Sequence, residues 1–440
     1  MAQGGVVIRN VRLAEDSIGG PPAGTPAAVY FCGGGVADVV SLDSLPASFG
    51  AATQTIDGGG LWLLPGWVDI QVNDLEWLAC GLKSPAQHAE RIRQVIEYQV
   101  ARGVTGFTLA TLASPEEEIL AYLSGMKIIR DGSASNGGKR ESAFLGGLVE
   151  GTFMNPAFHG AHNPEYVLPP DVALLDRFVD TGAVRLLNVA PEVSEQALEV
   201  IAHALRRGVV VGVGHAKPNA ERVREAVSAG LRYVIHLGNG PTGTSLRGLH
   251  GGGLLEEALS NDGLIATIIV DGVHINGRLV RDYLERKGVE RTIAVSDAGF
   301  ACGNPEGEFE VFGIRGRVSD DRTFLAVVPQ EDAEPFNPFA SDAVRLFGSA
   351  ADMRTIFETT LNLLTVELQG VYYRRHAALE LPNALGVATK LCATNPARLL
   401  AEPDRGTLRK GSRADASLVE ITGAPGEHRV RVERVWLAGQ

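Results

Sequence analysis

Through the middle of the chain, short apolar runs alternate with longer amphipathic stretches. The apolar runs fall at residues 68–72, 106–110, 144–149, 184–189, 209–213, 233–237, 266–270 and 292–296. Helical periodicity lies between most of them, as at 89–101, 115–129, 194–207 and 220–229. Eight apolar strands alternating with helices predict a parallel α/β architecture. Ser114 and Ser194 precede two of the helices as candidate caps, with Pro115 suited to a first turn. The count alone does not separate a closed barrel from an open sheet.

The two ends read differently. Residues 6–8 and 28–31 near the start, and 416–419, 430–432 and 435–437 near the finish, are β-prone runs between turns rich in Gly and Pro. They predict that both termini meet in one small β-sandwich domain, formed by residues 1–64 and 401–440 around a barrel at 65–400. Residues 131–140 read as an exposed loop. Residues 303–338, polar and rich in Pro and Gly, read as an excursion after the eighth strand, with one strand-like run at 323–328. Such an excursion either decorates the fold or covers the site.

Composition removes several function classes. A formal net charge of −12 leaves no basic footprint for nucleic acid or an anionic membrane. A small anionic substrate would need a local positive site inside a repulsive global field. No apolar run nears the ~20 residues of a membrane span, and the first ten residues lack signal-peptide character. The four cysteines, Cys32, Cys80, Cys302 and Cys392, form no paired spacing, so a reducing cytoplasm is expected. Gly33-Gly34-Gly35 and Gly58-Gly59-Gly60 do not fit a strand–GxGxxG–helix context and read as turns.

The chemistry collects at strand ends. Gln71 and Asn73 end the first strand, Glu150 the third, His215 the fifth and His236 the sixth; His274 follows the seventh and Asp297 ends the eighth. In a closed (β/α)8 barrel those ends converge on one mouth. Position therefore favours the barrel where the count could not. Glu150, His215 and His236 offer one carboxylate and two imidazoles, the ligand set of a catalytic divalent-metal site. A metal there would lower the pKa of water from ~16 toward ~7. Asp297 fits the general base that takes the proton of that water and passes it to a leaving amine.

The order of these motifs resembles the N-acetylglucosamine-6-phosphate deacetylase family of the amidohydrolase superfamily. The resemblance runs from Leu64-Pro65-Gly66-Trp67-Val68-Asp69 through Val149-Glu150-Gly151, Gly160-Ala161-His162-Asn163-Pro164 and Gly214-His215. It continues at His236-Leu237-Gly238-Asn239, Asp271-Gly272-Val273-His274, Ser296-Asp297-Ala298 and Thr394-Asn395-Pro396-Ala397. It implies one divalent metal, zinc first and iron or another transition metal as alternatives, held by Glu150, His215 and His236. Gln71-Val72-Asn73 stands where many amidohydrolases carry His-x-His for a second metal; an amide oxygen is a weak neutral ligand, which favours a mononuclear site.

The same resemblance implies that His162 contacts the sugar and helps polarise the amide carbonyl, with Asp297 as the proton carrier. Gln71, Asn239, Gly240, Arg247 and His274 become substrate-binding residues, the last three and Asn239 around the sugar phosphate. Arg247 is expected to reach the neighbouring subunit's site in a homodimer. The implied reaction is deacetylation of N-acetylglucosamine 6-phosphate. Alternatives are another N-acyl substrate, such as acetylgalactosamine 6-phosphate or an N-acyl amino acid, and a non-catalytic binding protein on the same fold. Departures from the pattern at Thr152, Ala216-Lys217-Pro218, Gly238 and residues 300–338 leave sugar specificity open.

Overall fold

The computed structural model describes residues 5–14, 21–44, 49, 54–73, 82–135, 140–239, 251–299, 302, 307–320, 322–328, 345–371 and 375–440. The eight apolar runs are strands Trp67–Val72, Val104–Thr111, Phe144–Phe153, Val184–Val189, Val210–Val213, Leu231–Val234, Ile265–Ile269 and Thr292–Val295. They pair in sequence order, each parallel to the next. A parallel bridge between Val72 and Ala298 joins the last strand to the first, with the Asn73 N–H donating to the Ala298 carbonyl at 2.9 Å. The sheet is thus closed into a (β/α)8 barrel. Every residue of Val104–Thr111 and Phe144–Phe153 is buried, because a parallel sheet is covered on both faces.

Helix Pro85–Ala101 starts at a Ser84/Gln87 capping box with Pro85 in its first turn. Its buried Ile92, Val95, Ile96 and Val100 form one stripe against the barrel. The next helix, Glu116–Ser135, runs into the stretch expected to be a loop. Lys127 pairs with Asp131 one turn on at 2.7 Å, and Arg130 donates to the Gly182 carbonyl, so the last turns are tied down. The expected caps differ too. Ser114 Oγ donates to the Leu112 carbonyl, while Pro115 supplies the carbonyl that begins the helix. Ser194 Oγ is buried without a partner among the described residues, and helix Gln196–Arg206 begins after it.

Both termini build one seven-stranded sheet. Strand Val6–Leu13 lies at its centre, parallel to Trp62–Pro65, which pairs antiparallel with Ala416–Thr422. Within 303–338, the described residues 308–318 and 324–327 hold more order than the segment's polar composition announces. Strands Glu308–Val311, Ile314–Val318, Phe324–Val327 and Leu346–Ser349 form an antiparallel sheet. Phe309, Val311, Val318, Leu325 and Phe347 give it a core of its own, backed by Leu112 and Ala161. It joins the barrel where Ser349 N donates to the Asp297 carbonyl at 2.8 Å and Gly299 N to the Ser349 carbonyl. Among the described residues, no helix is long and apolar enough to cross a membrane.

Candidate active site

A cavity of about 290 Å³ opens at the C-terminal ends of the barrel strands, roofed by the inserted sheet. Glu150, His162, His215, His236, Asn239, His274 and Asp297 all line it, together with Asn73. Gln71 does not face the space: its Nε2 donates to Glu150 Oε1 at 2.9 Å. Gly240 and Arg247 lie outside the described residues.

Three of these side chains leave the barrel on unusual backbone. His215, His236 and Asp297 have φ of 51°, 34° and 48°, left-handed values that L residues adopt at a cost. Each is fixed by hydrogen bonds. Asn155 N donates to the His215 carbonyl, His236 N donates to Thr267 Oγ1, and the Asp297 carbonyl accepts from Ser349 N. Asn188, inside the fourth barrel strand, donates to the Glu150 carbonyl and accepts from Gly214 N, so one amide sets two strand ends. Gly151 is the only residue type that fits beside Glu150, because a Cβ there would lie 2.0 Å from Ala113 N.

Ligand atoms of Glu150, His215 and His236 lie within 4.8 Å of one another. Nε2 of His236 and of His215 stand 3.2 and 3.6 Å from the same Glu150 oxygen. Tetrahedral ligands at ~2.1 Å from zinc would be ~3.4 Å apart, so the spacing fits such an ion. The tautomer fits as well for His215, whose Nδ1 donates to the Phe158 carbonyl and leaves Nε2 as a lone pair. Burial opposes ionisation of Glu150, but the adjacent imidazoles of His215 and His236 outweigh it and hold the carboxyl well below its usual range.

Asp297 behaves in the opposite way. Burial, then the charge of Glu150, push its carboxyl up to about 7, even though Asn73 donates to Oδ1 at 2.7 Å. A carboxyl with that affinity can take and return a proton near neutrality. His162 is kept neutral, its pKa lowered to about 3 by burial and then by His215. The Ala113 N–H donates to His162 Nδ1 at 3.1 Å, so the ring proton sits on Nε2, as a donor to the cavity. His274 differs again: burial works against its charge, yet Asp271, 2.6 Å from Nδ1, raises its pKa. Its buried Nε2 has no hydrogen-bond partner among the described residues. That leaves one N–H available to an anion.

Sequence reasoning missed Asn188 and Thr267, whose polar groups within apolar strands were the available signal. It named Asp69 in the first-strand motif without giving it a role. This buried carboxyl accepts from Ser296 N and Oγ and from Gln71 N, tying the first and eighth strands beneath the site. Burial raises it to about 6.

No family model matches the chain. An N-acetylglucosamine-6-phosphate deacetylase of Bacillus subtilis is 25% identical over 263 residues, 58% of this chain and 64% of its own length. The chain therefore matches just under two thirds of that relative. An N-acetylgalactosamine-6-phosphate deacetylase of Escherichia coli is 24% identical over 383 residues, 86% of this chain and 87% of that protein. Among solved structures, an N-acetyl-D-glucosamine-6-phosphate deacetylase of Mycobacterium smegmatis, in complex with N-acetyl-D-glucosamine-6-phosphate, has a TM-score of 0.74. It is 22% identical, with 100% of this chain and 99% of that chain covered. The structural likeness establishes the fold, and the sequence likeness is to amino-sugar-phosphate deacetylases.

Proposed function

We propose that this chain is a metal-dependent deacetylase that hydrolyses the N-acetyl group of N-acetylglucosamine 6-phosphate, giving glucosamine 6-phosphate and acetate. The observation that carries the reading is the convergence of Glu150, His215 and His236 with Asp297 and His162 in one cavity. Glu150, His215 and His236 would hold a single divalent ion, zinc by preference. Such an ion supplies Lewis acidity toward the amide carbonyl and toward water. The roles of the protein's own groups follow from their protonation. His162 Nε2–H donates to the carbonyl oxygen and stabilises the negative charge that develops there. Asp297 accepts the proton of the attacking water, then delivers it to the amine nitrogen as the C–N bond breaks. Gln71 and Asn73 hold the two carboxylates, while His274, Asn239, Gly240 and Arg247 bind the sugar and its phosphate.

By this reading, Arg247 of one protomer completes the site of the other in a homodimer. A cytoplasmic location follows from a substrate that, once phosphorylated, does not cross membranes. Acetate release from N-acetylglucosamine 6-phosphate, with the unphosphorylated sugar alongside, tests the assignment in zinc-loaded and chelator-treated protein. Metal-dependent turnover favouring the phosphorylated sugar supports it; silence on both sugars from protein holding one metal overturns it. Relatives named for the galactosamine and for the glucosamine substrate match similar shares of this chain, 86% and 88%, so the same assay includes N-acetylgalactosamine 6-phosphate.

A further inference from the structure

Arg345 immediately precedes the roof strand Leu346–Ser349 and lines the cavity. Among the described lining residues it is the single guanidinium, and there is no lysine. The other charged groups of the wall have opposite partners. Asp271 answers His274 at 2.6 Å, and Glu150 and Asp297 face the cation site. No carboxylate among the described residues pairs with Arg345; its contact is with a neutral ring.

The side chain is exposed, and that contact orients it toward the cavity loop. His159 Nδ1 donates to the His162 carbonyl at 2.6 Å. Its Nε2 is thereby left as an acceptor, and Arg345 Nη1 donates to it at 3.3 Å. Burial, followed by the nearby Arg345 charge, lowers the pKa of His159 and keeps it neutral. Among the described residues one of five guanidinium N–H groups is used this way, and a planar fork of donors suits a bidentate oxyanion contact. A protein of net charge −12 repels small anions at long range, so an unanswered cation at the cavity has a selective effect.

We propose that Arg345, braced by His159, is a specificity-determining residue that binds an oxyanion group of the substrate from the roof side of the cavity. The inference rests on the cavity being the deacylation site, and it adds a contact from the substrate's own subunit.

The test compares metal-loaded wild type, Arg345→Gln and Arg345→Lys on three substrates: N-acetylglucosamine 6-phosphate, unphosphorylated N-acetylglucosamine and an N-acetyl amino acid. A charge-assisted contact is worth enough for a ten- to hundredfold effect, roughly. Arg345→Gln is expected to raise KM for one anionic substrate by about that factor, with kcat changed less than about threefold, and Arg345→Lys to recover part of the loss. Loss on the sugar phosphate identifies a phosphate, and loss on the amino acid a carboxylate; either supports the proposal. An equal effect on the uncharged sugar, or no effect on any substrate, overturns it. Calorimetric titration with inorganic phosphate separates this from failure of the deacetylase reading. Should wild type turn over nothing, phosphate binding weakened at least about tenfold by Arg345→Gln still supports the anion site, and unchanged binding removes it.

Discussion

Replacing Asp297 by asparagine removes a buried charge while keeping the side chain's shape and the oxygen that Asn73 contacts. In the folded, metal-free protein the carboxyl is pushed up to about 7, from an ordinary value of 3.8. That gap is roughly three pH units, or about 4 kcal/mol at ~1.36 kcal/mol per unit. The direction is fixed by linkage. Below pH ~4 both states hold the proton and the burial costs nothing. Between ~4 and ~7 the unfolded chain ionises while the folded protein does not, so stability is lost as pH rises; above ~7 the loss is complete. Asparagine carries no such dependence. Denaturant unfolding of chelator-treated wild type and Asp297→Asn should show the variant gaining about 2–3 kcal/mol on wild type between pH 5 and pH 8. Other titrating groups are common to both proteins and largely cancel in the difference. A pH-independent difference, or a wild type that gains instead, would refute the burial argument. In the metal-loaded enzyme the same substitution should retain the ion and lose ~10²–10⁴ in kcat. Near-normal turnover would remove Asp297 as the proton carrier. In the wild type, kcat/KM should rise with pH to a plateau whose acid limb lies at or below about 7, since a bound cation favours the carboxylate.

Glu150→Gln replaces the charged ligand by a neutral amide, and equilibrium dialysis should show zinc affinity reduced by roughly a hundredfold or more; unchanged affinity would dismiss Glu150 as a ligand. In Gly151→Ala, a Cβ 2.0 Å from Ala113 N forces the 112–113 segment to move. The variant should lose about 1–3 kcal/mol in thermal unfolding and a larger share of kcat, because His162 loses the N–H that sets its tautomer. Asp69, raised to about 6 by burial, obeys the same sign rule as Asp297. Asp69→Asn should therefore gain on wild type by up to about 3 kcal/mol as pH goes from 4 to 8, and a flat difference in denaturant titrations would contradict it.

The barrel was legible because parallel strands buried on both faces leave unbroken apolar runs, and the clustering of Glu150, His215 and His236 because their runs close on polar residues. Other features depended on tertiary contacts that local pattern does not encode. The helix through Ser135 continues across a Gly/Ser-rich stretch because Arg130 reaches Gly182 on another segment. The roof strands are four or five residues long, so the alternation of Phe309 and Val311 or Leu325 and Val327 is brief; Leu112 and Ala161 supply the backing that makes them a sheet. Gln71 was assigned to the substrate from resemblance, whereas the closed barrel turns its amide onto Glu150. Arg345, in a polar segment, has no local sign of function. Only the fold carries it over the loop of His159.

Metal removal is where the chemistry of this site meets its stability. His215, His236 and Asp297 are non-glycine residues at positive φ, a conformation that costs ~1–3 kcal/mol each where the surroundings must enforce it. Two of them present imidazoles to one carboxylate oxygen, and the third is a carboxyl whose ionisation burial and Glu150 make costly. An ion that binds this set in the folded but not the unfolded state offsets those costs, by ~4 kcal/mol at a thousandfold excess over Kd. In a chain of 440 residues, each kcal/mol moves Tm by only ~1–2 °C, extrapolating from smaller domains. Chelation should thus lower Tm by roughly 4–8 °C in calorimetry at pH 8, zinc should restore it, and Glu150→Gln should show little of the shift. If wild type emptied of metal melts where the loaded protein does, the hydrogen bonds with Asn155, Thr267 and Ser349 hold the strained ends unaided, and ion binding is uncoupled from folding.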